Sequence, residues 1–294
     1  MSGASKRNLF DRPIFILSTP RSGSTLLFET LAAAPNLFTT GDESHQLIES
    51  QPALIPAFRG WDSNRLSAED AQPDVAETLA ERFYARLHDR EGHRPEGRVR
   101  MLEKTPKNAL RVPFFHAIWP DAVFVYLYRD PRQTLASMIR GWESGRFRTY
   151  PRLPDWPGLA WSFLLVPGWA DLRGLPVAEI AARQWATTTN MLVNDLAAIP
   201  PLQLRVLDYN DFLADPQGSI ADLASSLDLA WDRELPSSLP PSRMTLTMPG
   251  KDKWQELGAE IGAVWPLIAD ADERARRFVD EVKKSSRDAC ALRE

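Results

Sequence analysis

The 294-residue sequence contains one cysteine, Cys290, and only four histidines. A lone cysteine supports neither a disulfide framework within the chain nor a cysteine-rich metal site. No run approaches the ~18 apolar residues that a membrane-spanning helix needs. The polar start at residues 1–7 also lacks the apolar core of a signal peptide. We therefore expect a soluble protein of a reducing cytoplasm, without stable membrane insertion.

An excess of positive charge is also missing. The net charge of −4 and the pI near 5.7 argue against a general binder of nucleic acid or of membrane surfaces. The length suits one large α/β domain or two small ones, and the apolar content of 44% is that of an ordinary globular protein. We predict a single domain over residues 1–294, with a helical insert at about 51–96 and an amphipathic helical tail at about 255–294. The tail is a candidate packing or assembly surface, which would allow a homo-oligomer.

What the sequence does contain is a strand, a loop of small residues and a helix within Ile14–Ala34. Ile14–Leu17 is an apolar run typical of a buried parallel strand, and P-R-S-G-S-T follows at 20–25. Backbone N–H groups of such a loop, together with a helix N-terminus, bind phosphate groups. Further donors come from Arg21, Ser22, Ser24 and Thr25. We predict an anion cradle; the alternative is an ordinary strand-to-helix turn in which glycine supplies backbone freedom.

Four further apolar runs predict the remaining strands of a parallel sheet. The five strands lie near residues 14–17, 37–40, 99–103, 122–128 and 203–207. Helical patterns separate most of them, an order typical of α/β proteins. We predict a P-loop-like, three-layer α/β/α fold, with a central parallel sheet flanked by helices.

Charged and polar residues follow the predicted strands, where α/β proteins place ligand-binding and catalytic groups. Glu43 and His45 follow the second strand, Lys104 ends the third, and Arg129 ends the fourth. Ser137 lies eight residues after Arg129, inside the helix that begins near Pro131. These residues are the candidate site.

Two of these segments resemble the phosphate sites of sulfotransferases, enzymes that use 3′-phosphoadenosine 5′-phosphosulfate (PAPS). The loop at 20–25 resembles the family's 5′-phosphosulfate loop. Arg129 and Ser137 resemble the arginine, and the serine eight residues later, that hold the nucleotide's 3′-phosphate. In addition, Glu103–Pro106 looks like the family's strand-end lysine motif. Asp208–Phe212 is similar to its tyrosine-containing segment near the adenine.

The resemblance covers roughly residues 13–216 and is greatest for the bacterial and tyrosylprotein-like branch. It implies transfer of the sulfuryl group from PAPS to a hydroxyl of an acceptor, by in-line displacement and without a metal. The acceptor could be a small molecule, a lipid, a glycan or a carrier-bound chain. The residues implied in binding the nucleotide are Arg21, Ser22, Gly23, Ser24, Thr25, Leu26, Arg129, Ser137, Tyr209 and Lys251.

The resemblance leaves two candidates for the base that deprotonates the acceptor. The tyrosylprotein branch implies Glu43, whereas relatives that act on polyketide chains have a Glu-x-His pattern here, and this sequence has Glu43-Ser44-His45. Either a carboxylate or an imidazole can serve as the base. We prefer Glu43 and keep His45 open. Arg21 and Lys104 would stabilise charge on the sulfonate and on the departing oxygen.

Two other functions remain alternatives. A nucleoside or small-molecule kinase of the P-loop class would need a lysine after Gly23, where this sequence has Ser24. The second alternative is a relative that binds the nucleotide but has no catalytic activity.

The aromatic-rich stretch 142–169 has two interpretations. It either forms the mouth of an acceptor site or serves only for packing. Its aromatic residues favour an apolar alcohol or lipid as acceptor. Arg146, Arg148 and Arg152, interleaved with them, favour an anionic glycan or a carrier protein.

Overall fold

A computed structural model describes residues 5–246, 250 and 252–291, with side chains described up to residue 285. The strands of the described chain are β1 (Ile14–Leu17), β2 (Leu37–Phe38), β3 (Arg100–Lys104), β4 (Val123–Tyr128), β5 (Arg148–Tyr150), β6 (Trp161–Ser162) and β7 (Leu204–Asp208). Five of them form one parallel sheet in the order β2-β3-β1-β4-β7. The strands β5 and β6 form a separate antiparallel pair.

Each strand of the parallel sheet corresponds to a predicted one, and β1 matches its predicted bounds. The strand predicted at 37–40 is shorter, because Thr39 leaves the sheet and forms a bridge to His88 instead. The α-helices of the described chain are α1 (Ser24–Leu31), α2 (His45–Ile48), α3 (Pro73–Tyr84), α4 (Val112–Ile118), α5 (Pro131–Glu143), α6 (Val177–Ala197), α7 (Tyr209–Ala214), α8 (Pro216–Ser226), α9 (Gly258–Val264) and α10 (Ala269–Ala291).

Alternating side chains of the sheet pack into two different helical layers. Phe15 and Phe124 belong to a buried cluster with α3, α4 and α6. Ile14 and Val125 belong to a cluster on the opposite face with α1 and α8. Because successive strand residues point to opposite faces, short runs that are apolar throughout require cover on both sides. The structure thus confirms the three-layer α/β/α fold.

The two segments singled out from the sequence differ in helix content. The region 51–96 contains α3 and three 3₁₀ turns joined by irregular chain, while the described region from 255 onward contains α9 and α10. The last helix packs on the sheet layer through Phe278 and Val279. Among the described residues, no helix combines the length and the apolar content needed to cross a bilayer.

The aromatic stretch divides between core packing and the lining of a cavity. Trp142, Trp161 and Trp169 are buried in a third apolar cluster with α5 and α6. Edge-to-face contacts join Trp161 to both of the other rings. Phe147 and Phe163 instead stack on each other, with centroids 5.3 Å apart, and line the cavity described below. The three tryptophans therefore belong to the packed core, and the two phenylalanines line the cavity.

Helices begin soon after β4 and β7, whose carboxyl ends lie at one edge of the sheet because the strands are parallel. Asp130 caps α5, its carboxylate accepting from the N–H of Arg132 at 2.8 Å. Asp208 caps α7 in the same way, with Asn210 as donor at 2.7 Å. Side-chain caps of this kind fix where a helix starts. Arg129 and Tyr209, each adjacent to a cap residue, are thereby held at the carboxyl edge of the sheet.

Candidate active site

A cavity of about 510 Å³ lies at the carboxyl edge of the parallel sheet. Most of the predicted site residues line it, although they come from separate parts of the chain. Apart from those residues, its walls include Lys107, Phe147, Phe163 and the segment Ser238–Leu246. The predicted residues that line it are Arg21, Gly23, Ser24, Thr25, Leu26, Glu43, His45, Arg129, Ser137 and Tyr209.

Gly23 shapes the loop that precedes α1. Its φ of 92° lies in the left-handed region, and it caps the helix without a side-chain acceptor. The ring of Tyr209 lies so close that a Cβ at Gly23 would stand 2.1 Å from it. Only glycine meets both the conformation and the space. The first N–H groups of a helix have no partner within the helix, so those of α1 are donors suited to an anion.

Ser22 differs from its neighbours in the loop. Its hydroxyl lies 2.7 Å from that of Thr19, and the side chain is buried. It is not among the residues that line the cavity. The contact holds the loop together, whereas Ser24 and Thr25 present side chains to the cavity.

Arg21 crosses the cavity and contacts three separate segments. Its Nε donates to Ser137 Oγ at 3.2 Å, and one terminal nitrogen donates to the Met244 carbonyl at 2.9 Å. Its guanidinium also lies 4.4 Å from the centroid of the Phe147 ring. Burial, and then the charges of Arg129 and Arg146, lower the pKa of Arg21 to about 10. An anion bound here would relieve this crowding of cations.

Arg129 reaches the same loop from the end of β4. It donates to the Arg21 carbonyl at 3.0 Å and to Gln133 Oε1 at 3.1 Å. Its guanidinium lies 4.3 Å from the centroid of the Tyr209 ring, and burial lowers its pKa. Arg129 and Ser137 therefore both contact Arg21, which places the two predicted 3′-phosphate residues beside the same cavity.

Lys104 lies beneath the cavity lining and is almost completely buried. Its Nζ donates to Glu43 Oε1 at 2.8 Å and to Thr25 Oγ1 at 3.1 Å. It thus links the helix of the phosphate loop to the carboxylate after β2. These contacts place the cation predicted from the strand-end motif next to one candidate base.

His45 is close to the other side of that carboxylate. Its Nδ1 lies 3.9 Å from Glu43 Oε2. Burial, and then the positive charge of Lys107, lower its pKa below the ordinary 6.5. A histidine shifted in this direction is neutral at pH 7 and can accept a proton. Both base candidates therefore line the same cavity, adjacent to each other.

A buried ionic cluster lies behind His45 and has no signature in the sequence. Glu49 accepts from Lys107 at 2.8 and 2.9 Å and from Arg111 at 2.8 Å. Burial raises the pKa of Glu49, but the two cations outweigh it, and its pKa lies below the ordinary value. Burial lowers the pKa of Lys107 to about 8. Lys107 also lines the cavity.

The segment Ser238–Leu246 was also missed as part of the site. It forms one wall, and Arg243 fastens it to the loop after β2, with bonds to the Gly41 carbonyl at 3.0 Å and to Asp42 at 3.1 Å. Its prolines indicated only an irregular stretch. Lys251, predicted to bind the nucleotide, lies outside the described residues. Arg152 is exposed and does not line the cavity.

Comparisons with known proteins agree on one family. The profile of the "Sulfotransferase family" matches residues 13–233. A Caenorhabditis briggsae protein, provisionally named a protein-tyrosine sulfotransferase, is 27% identical over 134 residues, a stretch that covers 44% of each chain. The match therefore spans less than half of that relative's length.

Two solved structures share the fold. The sulfotransferase domain of the Synechococcus PCC 7002 olefin synthase aligns with a TM-score of 0.51 at 20% identity, covering 91% of this chain and 94% of that domain. Sulfotransferase STF9 from Mycobacterium avium aligns with a TM-score of 0.53 at 12% identity, covering 88% and 76%. At these identities the likeness concerns the fold.

Proposed function

Because the chain belongs to the sulfotransferase family, we propose that it transfers the sulfuryl group of PAPS to a hydroxyl of an acceptor. One observation carries the proposal: a helix N-terminus suited to phosphate and the Lys104–Glu43 pair meet at a single cavity. The first feature suits a phosphosulfate group, and the second suits activation of a hydroxyl beside it. Neither alone would distinguish transfer from binding.

The cavity fits a polyanionic nucleotide. The N–H groups at the start of α1 and the side chains of Ser24 and Thr25 would hold the 5′-phosphosulfate. Arg129 and Ser137 would hold the 3′-phosphate, for which arginine supplies a planar fork of donors. Burial, and then the charges of Arg129 and Arg146, lower the pKa of Arg21. Closely spaced cations beside an open volume favour a ligand with several negative charges.

The acceptor hydroxyl would be deprotonated by Glu43, with His45 as the alternative base. Bound PAPS supplies the activated sulfuryl group. Lys104 and Arg21 stabilise negative charge near Glu43 and the α1 loop, a contribution that accelerates transfer when it is larger in the transition state. Because these side chains would supply both the charge stabilisation and the base, the proposed transfer requires no metal ion.

The acceptor side of the cavity combines apolar and cationic walls. Phe147 and Phe163 supply the apolar surface, and Arg146 and Arg148 lie beside them. This combination suits a hydroxyl compound with an apolar body that also carries negative charge. A screen of phenols, acyl alcohols and acidic tyrosine peptides, read by mass spectrometry for the added sulfonate, tests this assignment.

Calorimetric titration with 3′-phosphoadenosine 5′-phosphate (PAP) and with AMP tests the donor site. We expect PAP to bind at least tenfold more tightly, because a charge-assisted contact to the extra phosphate contributes about 1.5–3 kcal/mol. Arg129→Ala should remove most of that preference. Equal affinity for PAP and AMP, or turnover of ATP with Mg²⁺ in the absence of PAP binding, would overturn the proposal.

A further inference from the structure

A third acidic group lies close to the candidate base and has no part in the proposed transfer. Glu103, the residue before Lys104 on β3, is only 2% exposed. Its carboxylate accepts from Thr105 Oγ1 at 2.7 Å, from Asn108 Nδ2 at 2.6 Å and from the Ser44 hydroxyl at short range. A buried carboxylate that accepts three hydrogen bonds is satisfied without a cation in direct contact.

Two of these donors connect Glu103 to the loop that carries both candidate bases. Ser44 stands between Glu43 and His45 in the sequence. Its hydroxyl donates to Glu103, and its backbone N–H donates to Thr105 Oγ1 at 2.8 Å. The loop after β2 is therefore attached to the end of β3 through both the side chain and the backbone of a single residue.

A carboxylate is an unfavourable choice for a site that serves only packing. Burial raises the pKa of Glu103, which shows that the surroundings disfavour its charge. An apolar side chain of similar volume would fill the space without that penalty. What a hydrogen-bonded carboxylate adds is direction, because each donor must point at one of its two oxygens.

We infer that Glu103 is a positioning residue: through Ser44 and Thr105 it fixes Glu43 and His45 in place beside Lys104. This inference rests on the proposed function, because the positioned groups are the candidate bases of that reaction. Holding a base within a fraction of an ångström of its working position is worth a large factor in rate, and displacement by 1 Å can reduce a rate about 100-fold.

The matched variants Thr105→Val and Thr105→Ser test the inference. Valine preserves the shape of the side chain but removes the hydroxyl that donates to Glu103 and accepts from Ser44, whereas serine keeps that hydroxyl. We expect Thr105→Val to form PAP from PAPS about tenfold more slowly than the parent. The sulfuryl group is received by an acceptor identified in the screen or, in its absence, by water. We expect Thr105→Ser to stay within about twofold of the parent. Affinity for PAP should be unchanged in both variants.

An NMR titration of the histidine rings supplies a readout independent of turnover. In the parent, His45 should titrate below 6.5, and in Thr105→Val its pKa should return toward that value as the loop leaves its buried position. Ser44→Ala, which removes a different donor to the same carboxylate, should give the same pattern and substitutes for Thr105→Val should that variant not fold.

Two outcomes would overturn the inference. One is a valine variant that keeps both the parent rate and the parent His45 titration. The other is a serine variant as impaired as valine, since that would implicate methyl packing. Failure of the parent to bind PAP would instead refute the proposed function, while the His45 titration would still test the role of Glu103.

Discussion

Lys104 Nζ lies 2.8 Å from Glu43 Oε1, although the two residues are 61 positions apart in the sequence. The lysine is 1% exposed and the carboxylate 22% exposed, so the pair joins a buried cation to a group that reaches the cavity. Lys104 also donates to Thr25, near the start of α1. The contact therefore brings the phosphate loop, the strand-end lysine and the candidate base into one arrangement.

Replacement of Lys104 by methionine should lower the rate of sulfuryl transfer by about 10²–10³-fold, the loss that follows removal of one charge-stabilising donor from an active site. Methionine keeps the length and apolar packing of the side chain but not its charge. PAP affinity should fall much less than the rate, because the loop amides and Arg129 remain. Steady-state kinetics and calorimetry on Lys104→Met and Lys104→Arg would separate the two effects. An unchanged kcat in Lys104→Met would contradict this role.

Glu43→Gln should reduce kcat by about 10²–10⁴-fold, the usual contribution of a general base. The amide keeps the shape of the side chain but accepts a proton poorly. Glu179→Gln is the control, because Glu179 does not line the cavity and pairs with Arg183 on the same helix. The control should retain kcat. If Glu43→Gln keeps its activity and His45→Gln loses it, the imidazole is the base.

The local sequence was enough to predict the strands and the residues at their ends. Arg129 and Ser137 share a strand end and the following helix, so their spacing carries over directly into three dimensions. The position of Glu43 beside Lys104 follows from parallel neighbours in a sheet, β2 and β3, whose carboxyl ends meet at one edge. These contacts are predictable because regular secondary structure sets them.

Other parts of the site depend on long-range packing that leaves no periodic pattern. Glu49 meets Lys107 and Arg111 from 58 and 62 positions away. The segment Ser238–Leu246 is rich in proline and lacks regular structure, so nothing in its composition indicates that it lines the cavity. The hydroxyl of Ser22, a residue that the resemblance implies in nucleotide binding, lies 2.7 Å from that of Thr19, a contact that the loop sequence does not indicate.

Gly23→Ala should destabilise the protein and abolish measurable PAP binding. Alanine is strained at a φ of 92°, and its Cβ would also collide with the ring of Tyr209. Gly92→Ala is a control for the first effect alone, since Gly92 has a φ of 87° but nothing within 4 Å of an added Cβ. Thermal unfolding should therefore show a small loss for Gly92→Ala, about 1 kcal/mol, with PAP binding intact. Similar behaviour of both variants would argue against the Tyr209 contact.

The stability of the protein should fall as the pH drops below about 6.5, in part because of His45. Its pKa in the folded protein is lowered, so below 6.5 the unfolded chain binds the proton first and unfolding becomes more favourable. The variant His45→Gln lacks this pH-dependent contribution to stability. The midpoint temperature of thermal unfolding should fall more steeply on acidification for the parent than for the variant. Parallel pH profiles would show that His45 is not held in its neutral form.

Glu49→Ala should lower the free energy of unfolding by about 3–5 kcal/mol, the penalty for leaving buried charges without their partner. Lys107 and Arg111 are 8% and 0% exposed, and both form an ion pair with this carboxylate. Glu179→Ala, which breaks an ion pair with Arg183 on the accessible side of α6, is the control and should change stability by no more than about 0.5 kcal/mol. Urea unfolding measures the free energy of unfolding of both variants.

Because the pKa of Glu49 is lowered in the folded state, its contribution to stability is present above about pH 4.5 and is lost as the pH falls further. The difference between parent and variant should therefore shrink in acid, and a difference that stays constant there would contradict the ionic origin of this stability.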